Sequence, residues 1–160
     1  MNSATTERIQ HWIKACEGFR AHAYRDHRGH RTIGYGHNLD AHGQDFETIT
    51  LQQAEQRFQL DYRQACRIAR RIEGYERLAP ARQGALIHMA FQMGRAVDQF
   101  QAMIAWLQRG AFIEAAIEAM DSRWARQTPR RAKQVARVIA HGTLESIPQE
   151  PIAGLPPGRT

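Results

Sequence analysis

Apolar positions at helical spacing open the chain. Ile9, Trp12, Ile13 and Cys16 recur on one helix face, and Gly18 follows as a helix stop, which puts Glu17 in the last turn. The period then changes. Residues 21–25 read as a strand. Asp26-His27-Arg28-Gly29 has Asp first and Gly fourth, as in a type I turn. Residues 30–33 return as a second strand, and Gly34-Tyr35-Gly36 bends it. A plain two-strand register puts Asp26 and Thr32 on opposite faces of the pleat, although Asp26, at the turn, need not obey strand alternation.

Thr50-Leu51-Gln52-Gln53 is a capping-box pattern. Leu51, Ala54, Phe58, Tyr62, Ala65, Ala69 and Ile72 then keep one apolar stripe until Gly74. At 1.5 Å per residue such a helix is ~35 Å long, enough to join two lobes as a spine with a cleft beside it. After Pro80 the pattern is helical throughout. Residues 85–93 are apolar nearly all round, as at the buried centre of a lobe. Further helices are expected at 97–108, 112–125 and 129–141, punctuated by Gly110 and Gly142, with Thr128-Pro129 as an N-cap and first-turn proline. No internal repeat is present. The resulting expectation is an α+β fold in one domain over 1–160. A small antiparallel-sheet lobe spans 13–50, a linking helix 51–74, a larger all-helical lobe 75–146, and a flexible tail of Pro and Gly 147–160.

Composition changes this picture little. Of 160 residues 42% are hydrophobic, so a packed core is feasible. The formal net charge is +6 and the pI about 10.0, which favours polyanionic partners such as nucleic acid, anionic lipid or bacterial envelope polymers. Cys16 and Cys66 fit neither a disulfide framework nor a metal spacing and read as reduced thiols in helices. Residues 1–10 hold no apolar run, so neither a signal peptide nor a membrane anchor is expected there, and no window approaches the ~20 apolar residues that span a bilayer.

The candidate chemistry lies in 17–37. Glu17, Asp26 and Thr32 place two carboxyl groups and a hydroxyl in one short, turn-rich stretch. That set suits acid-catalysed glycosidic hydrolysis, which needs a proton donor for the leaving oxygen and a partner for water. Each residue also has a plainer role: a solvated helix end, a turn residue accepting backbone N–H bonds, a good strand former. Glu17-Gly18, Asp26, and the run Thr32-Ile33-Gly34-Tyr35-Gly36-His37 stand at the spacing of a known catalytic signature. The chain resembles the phage lysozyme (muramidase) family, most closely its T-even type. Two further blocks are similar to the same family and follow in the right order: Ala85-Leu86-Ile87-His88-Met89-Ala90-Phe91-Gln92-Met93-Gly94, and Ser122-Arg123-Trp124-Ala125-Arg126-Gln127-Thr128-Pro129-Arg130-Arg131-Ala132-Lys133. The resemblance covers residues 7–145. It weakens over 95–108, and Asn38 stands where the T-even type carries an apolar residue.

The resemblance implies a lysozyme-like fold whose N-terminal helix packs on the helical lobe. It also implies hydrolysis of the β-1,4 bond between N-acetylmuramic acid and N-acetylglucosamine in peptidoglycan. In that reading Glu17 is the general acid, Asp26 assists the water and the developing cation, and Thr32 fixes the water, with inversion at the anomeric carbon and no cofactor. Asn38, Phe91, Gln92 and Arg123 are the substrate-binding candidates, with Phe91 equally suited to the core. The setting implied is phage-driven host lysis by a monomeric endolysin. It would stay in the host cytoplasm until a holin lets it through, and would then act on the wall in the periplasm.

Other classes remain to be weighed. His22, His27, His30, His37 and His42 crowd within 21 positions and raise a zinc amidase, but their spacing matches no zinc motif and no Cys joins them. His37 reads better as a brace for the hairpin. Arg123, Arg126, Arg130, Arg131, Lys133 and Arg137 form a basic C-terminal run, either a solvated face or an attachment to anionic envelope. A basic membrane-permeabilising protein without catalysis, or a lytic transglycosylase on the same substrate, are the rivals. A nucleic-acid binder is disfavoured, because no helix-turn-helix pattern stands out and the acidic pair would be idle.

Overall fold

The structure, a computed structural model, describes residues 1–156. They divide into two compact units. One comprises Met1–Gln10 and Gln64–Pro148; the other comprises His11–Arg63 and the segment from Gln149 onward. Two of the three boundaries fall inside helices, α1 (Ser3–Glu17) and α2 (Leu51–Ala69), and the third lies between Pro148 and Gln149. The edges expected at 13, 50 and 75 therefore differ from those that packing draws.

In the sheet-containing unit, α1 stops because Gly18 takes a left-handed φ of 70° while its N–H still reaches the Lys14 carbonyl at 2.8 Å. Three antiparallel strands follow in the order β1 (Arg20–Arg25), β2 (Arg31–Gly34), β3 (His37–Asn38). The expected turn is present: Gly29 N–H donates to the Asp26 carbonyl at 2.9 Å. Tyr24 pairs with Thr32 and Arg25 with Arg31, but the register shifts between Arg20 and Tyr24. This irregularity re-aims the side chains of β1, which strand alternation alone cannot foresee. On the other edge of β2, Thr32 pairs with Asn38 and Ile33 with His37. The core is aromatic: Phe19 packs on Tyr35, Tyr35 on Phe58 and Phe58 on Tyr62, with centroids 5.5, 5.8 and 6.0 Å apart. The first pair is tilted, the second edge-to-face and the third stacked, and ring contacts of these kinds contribute about 0.5–1.5 kcal/mol each beyond burial.

The capping box forms as expected. Gln53 N–H donates to Thr50 Oγ1 at 3.1 Å and Thr50 N–H to Gln53 Oε1 at 2.9 Å. Helix α2 ends earlier than the apolar stripe does. Beyond Ala69 the backbone tightens into three-residue turns, with Arg71 N–H on Ile68 O and Ile72 N–H on Ala69 O, so the helix is ~28 Å long rather than ~35 Å. Ile72 stays buried. A stripe of apolar residues marks burial, and burial continues through a turn as readily as through a helix.

In the helical unit, α3 (Pro80–Met93) starts on a first-turn proline, and every residue from Gln83 to Ala90 is buried. Gly84 carries no side chain because Ile9 of α1 occupies that space. The helix expected at 97–108 divides into a 3₁₀ turn, Gly94–Gln99, and α4 (Gln101–Gln108), parted at Phe100 with ψ 52°. The one expected at 112–125 divides into α5 (Phe112–Met120) and α6 (Arg123–Gln127), because Ser122 Oγ accepts Ala125 N–H at 3.0 Å and caps a new start. Helix α7 (Pro129–His141) matches its expected limits. Thr128 precedes it without capping it: the hydroxyl donates backwards to the Trp124 carbonyl at 3.0 Å.

Of the tail expected over 147–160, residues 157–160 lie outside the described residues, and Gln149–Pro156 belong to the sheet-containing unit, where Phe19 N–H donates to Ala153 O at 2.7 Å and His11 Nε2 lies 2.9 Å from Glu150 O. Backbone groups in an irregular segment can be satisfied by residues far away in sequence, and composition does not reveal that.

His88, at the centre of α3, is 1% exposed. Burial, helped by the positive Arg131, holds its pKa well below 6.5. The unfolded chain binds a proton there below about 6.5 and the folded chain resists it, so this contribution to stability is present above that pH and is lost as pH falls towards the folded value. The expected loss is about 1.4 kcal/mol per pH unit in that window. Urea unfolding at pH 5 and pH 7 checks it: His88→Met should flatten the slope, whatever its absolute stability. An unchanged slope would assign the acid sensitivity to other groups.

Candidate active site

Glu17 is the last residue of α1 and is half-buried. Its carboxylate lies against the backbone of the bend that follows β2. A β-carbon built on Gly36 would stand 2.6 Å from Glu17 Oε2 and 3.0 Å from its Cδ. Gly36 has φ 75°, so the bend needs glycine both for its own conformation and for this approach.

Asp26 opens the hairpin turn. Its Oδ1 accepts two backbone N–H bonds, from Arg28 and His30, each 2.9 Å. Its Oδ2 faces the His30 ring, with Nδ1 at 3.8 Å. One oxygen therefore shapes the turn while the other is left for further chemistry, and the side chain keeps 26% exposure. Thr32 lies across the hairpin on β2, buried at 4%. Its hydroxyl donates to the His30 carbonyl at 3.0 Å, which uses its only proton and leaves its lone pairs to accept. His30, for which the sequence reading has no role beyond the histidine cluster, thus touches both residues.

Tyr24, the strand partner of Thr32, is a further member of this site that sequence reasoning leaves without a role. Its phenol pKa is raised, first by burial and then by the negative charge of Glu17, with Arg20 opposing and Asp26 adding. The Arg20 guanidinium lies 4.2 Å from its ring centroid. Both carboxylates therefore act on one phenol. Its place two residues before Asp26 is the signal that could have drawn attention to it.

Asn38, the other strand partner of Thr32, spends its Oδ1 on Ala41 N–H at 2.9 Å and its carbonyl on His42 Nδ1 at 2.8 Å. It closes the 3₁₀ turn Asp40–His42, and only its amide NH₂ is left for a ligand. His37 is 4% exposed. Its Nδ1 lies 2.7 Å from Asp61 Oδ2 on α2 and its Nε2 lies 2.8 Å from Gln44 Oε1. Burial disfavours the imidazolium, but the bonds to Asp61 and Gln44 outweigh it, and the pKa is raised above 6.5. The hairpin is thereby tied to α2. Among the described residues no three His, Cys, Asp or Glu gather in a way that could hold a metal ion.

Phe91, Gln92 and Arg123 belong to the helical unit. Gln92 Oε1 accepts Trp124 Nε1–H at 2.7 Å, which fixes the amide so that its NH₂ is the end left to donate. Phe91 is half-buried near the end of α3, and Arg123 is exposed at the start of α6. Of the basic run, Arg126, Arg130, Lys133 and Arg137 are exposed and Arg131 is half-buried. Arg130, Lys133 and Arg137 share one face of α7 by their spacing.

The profile of the family described as phage lysozyme matches residues 14–139. "Probable T4-type lysozyme 2" and "Probable T4-type lysozyme 1" of Dictyostelium discoideum are 28% and 29% identical, each over 86% of this chain and 96% of its own length. The "Pre-baseplate central spike protein Gp5" of Enterobacteria phage T4 is 30% identical over 84% of this chain, which corresponds to 28% of that protein. The family match takes in α2 to α6 whole, together with Glu17, the hairpin and both later sequence blocks, so the chain belongs to the phage lysozyme family and is a lysozyme-type glycoside hydrolase of peptidoglycan.

Proposed function

We propose that this chain cleaves the β-1,4 bond between N-acetylmuramic acid and N-acetylglucosamine with inversion, as a phage endolysin. One observation carries the reading: the Glu17 carboxylate lies against Gly36, while Asp26 and Thr32 stand on the two arms of the hairpin that leads to that glycine. Glu17 protonates the leaving oxygen. A water on the opposite face of the sugar gives one hydrogen bond to Asp26 Oδ2 and the other to Thr32 Oγ1. With both protons accepted, its lone pair is turned towards the anomeric carbon; as the glycosidic C–O bond breaks, the water oxygen bonds to that carbon and Asp26 takes the proton the water gives up. Thr32 accepts because its own proton is committed to His30 O. Inversion needs a water between sugar and base, and hence carboxyl groups ~6.5–9.5 Å apart.

Proton NMR of the first-formed product, taken before mutarotation, is the test. The α configuration at the new reducing end is expected. An initial β product would recast Asp26 as a nucleophile, and a product lighter by one water in the mass spectrum would make the enzyme a transglycosylase. The exposed cations of α6 and α7 are read as drawing the enzyme, acting as a monomer, to the anionic envelope. Lysis of whole cells should weaken with added salt, since exposed charges are screened within ~8–10 Å near physiological ionic strength. Equal salt sensitivity on a soluble oligosaccharide would remove that role.

A further inference from the structure

The residues that hold the end of α1 come from the opposite end of the chain. His11 Nε2 lies 2.9 Å from Glu150 O. Eight residues later, Phe19 N–H donates to Ala153 O at 2.7 Å. A β-carbon on Gly18 would meet that same carbonyl at 3.5 Å. Gly154, with φ 84°, has no room for a side chain, because an added β-carbon would overlap the Phe19 carbonyl oxygen. The segment 149–156 is thus fastened before and after Glu17, over the one stretch where α1 leaves its helix. Phe19 passes the constraint on. Its ring packs on Tyr35 at 5.5 Å, and the next residue, Gly36, backs the Glu17 carboxylate.

A helix terminus ordinarily frays, because its last carbonyls lack intrahelical partners. A catalytic acid placed there needs an outside restraint, since a displacement of ~1 Å at a reacting group can cost ~10²-fold in rate. We infer that the C-terminal segment 149–156 is a strap that positions Glu17 for proton transfer, acting through the Phe19–Ala153 bond and the Gly154 contact. This rests on the reading of Glu17 as the acid. The strap touches no substrate; it sets turnover and leaves binding alone.

Gly154→Val in the full chain tests it, with Gly154→Ala as a milder version. Gly110→Val is the control, because its φ is similarly positive at 73° and an added side chain meets nothing within 4 Å. Two readouts are taken together: hydrogen exchange of the Phe19 amide, and kcat and KM on a soluble oligosaccharide. In the unsubstituted protein the Phe19 amide should be protected. Gly154→Val should lose that protection and about tenfold in kcat, with KM within about twofold; Gly154→Ala should fall between, and Gly110→Val should match the unsubstituted enzyme. Lost protection with unchanged kcat would overturn the strap as a positioning element, as would retained protection in Gly154→Val. An unprotected Phe19 amide in the unsubstituted protein overturns it even if neither variant folds. Failure of the Glu17 reading would appear separately, as turnover surviving Glu17→Gln.

Discussion

Glu17→Gln should fold and should lose turnover by ~10²–10⁴-fold, equivalent to ~3–5 kcal/mol of transition-state stabilisation. The amide keeps the shape of the carboxyl group and its place against Gly36 but carries no acidic proton for the leaving oxygen. Folding should not suffer. Glu17 is the last residue of α1 and only half-buried, and an amide of the same shape leaves the packing around it unchanged, so inactivity with an unchanged melt is expected. Circular dichroism melts alongside turnover on purified cell wall would decide. Near-normal turnover in the folded variant removes Glu17 from the mechanism. Persistent lysis of whole cells without turnover would instead favour a membrane-permeabilising protein.

Gly36→Ala should be nearly as damaging to rate, for a steric reason. The new methyl would stand 2.6 Å from Glu17 Oε2, so the carboxylate must retreat by ~0.8 Å to reach an ordinary contact, and a misplacement of ~1 Å costs up to ~10²-fold. The left-handed φ adds about 1–2 kcal/mol of destabilisation. Kinetics should therefore show kcat down by ~10²-fold with KM little changed. Gly43→Ala separates the two causes. It too lies at positive φ, 60°, but an added β-carbon meets nothing within 4 Å. It should lose comparable stability and keep its turnover. If Gly36→Ala keeps full kcat, the contact between this bend and the carboxylate does not position the acid.

Both predictions depend on a contact that the sequence gives little sign of. Glu17-Gly18 and Gly34-Tyr35-Gly36 are separate features in the chain, and nothing in their spacing says that the second glycine backs the first carboxylate. Asp26 is a middle case. Its turn is legible from Asp and Gly three apart, but the commitment of Oδ1 to Arg28 and His30, with Oδ2 left over, appears only when the backbone is folded.

The features that the sequence determined by itself are those whose causes lie within a few residues. The capping box at Thr50 and Gln53, the turn from Asp26 to Gly29, the stop at Gly18 and the limits of α7 each depend on neighbours close enough to interact in any conformation near the native one. The all-apolar run of α3 likewise fixed its own burial. Tertiary structure decided where α2 ends, because the stripe through Ile72 records burial and not hydrogen bonding. It decided the fate of 149–156, whose partners His11 and Phe19 lie more than 130 positions away. Composition can report what a segment lacks for making a core of its own. It cannot report that another segment will supply partners for its backbone, because those partners are brought near only by the packing of the rest of the chain.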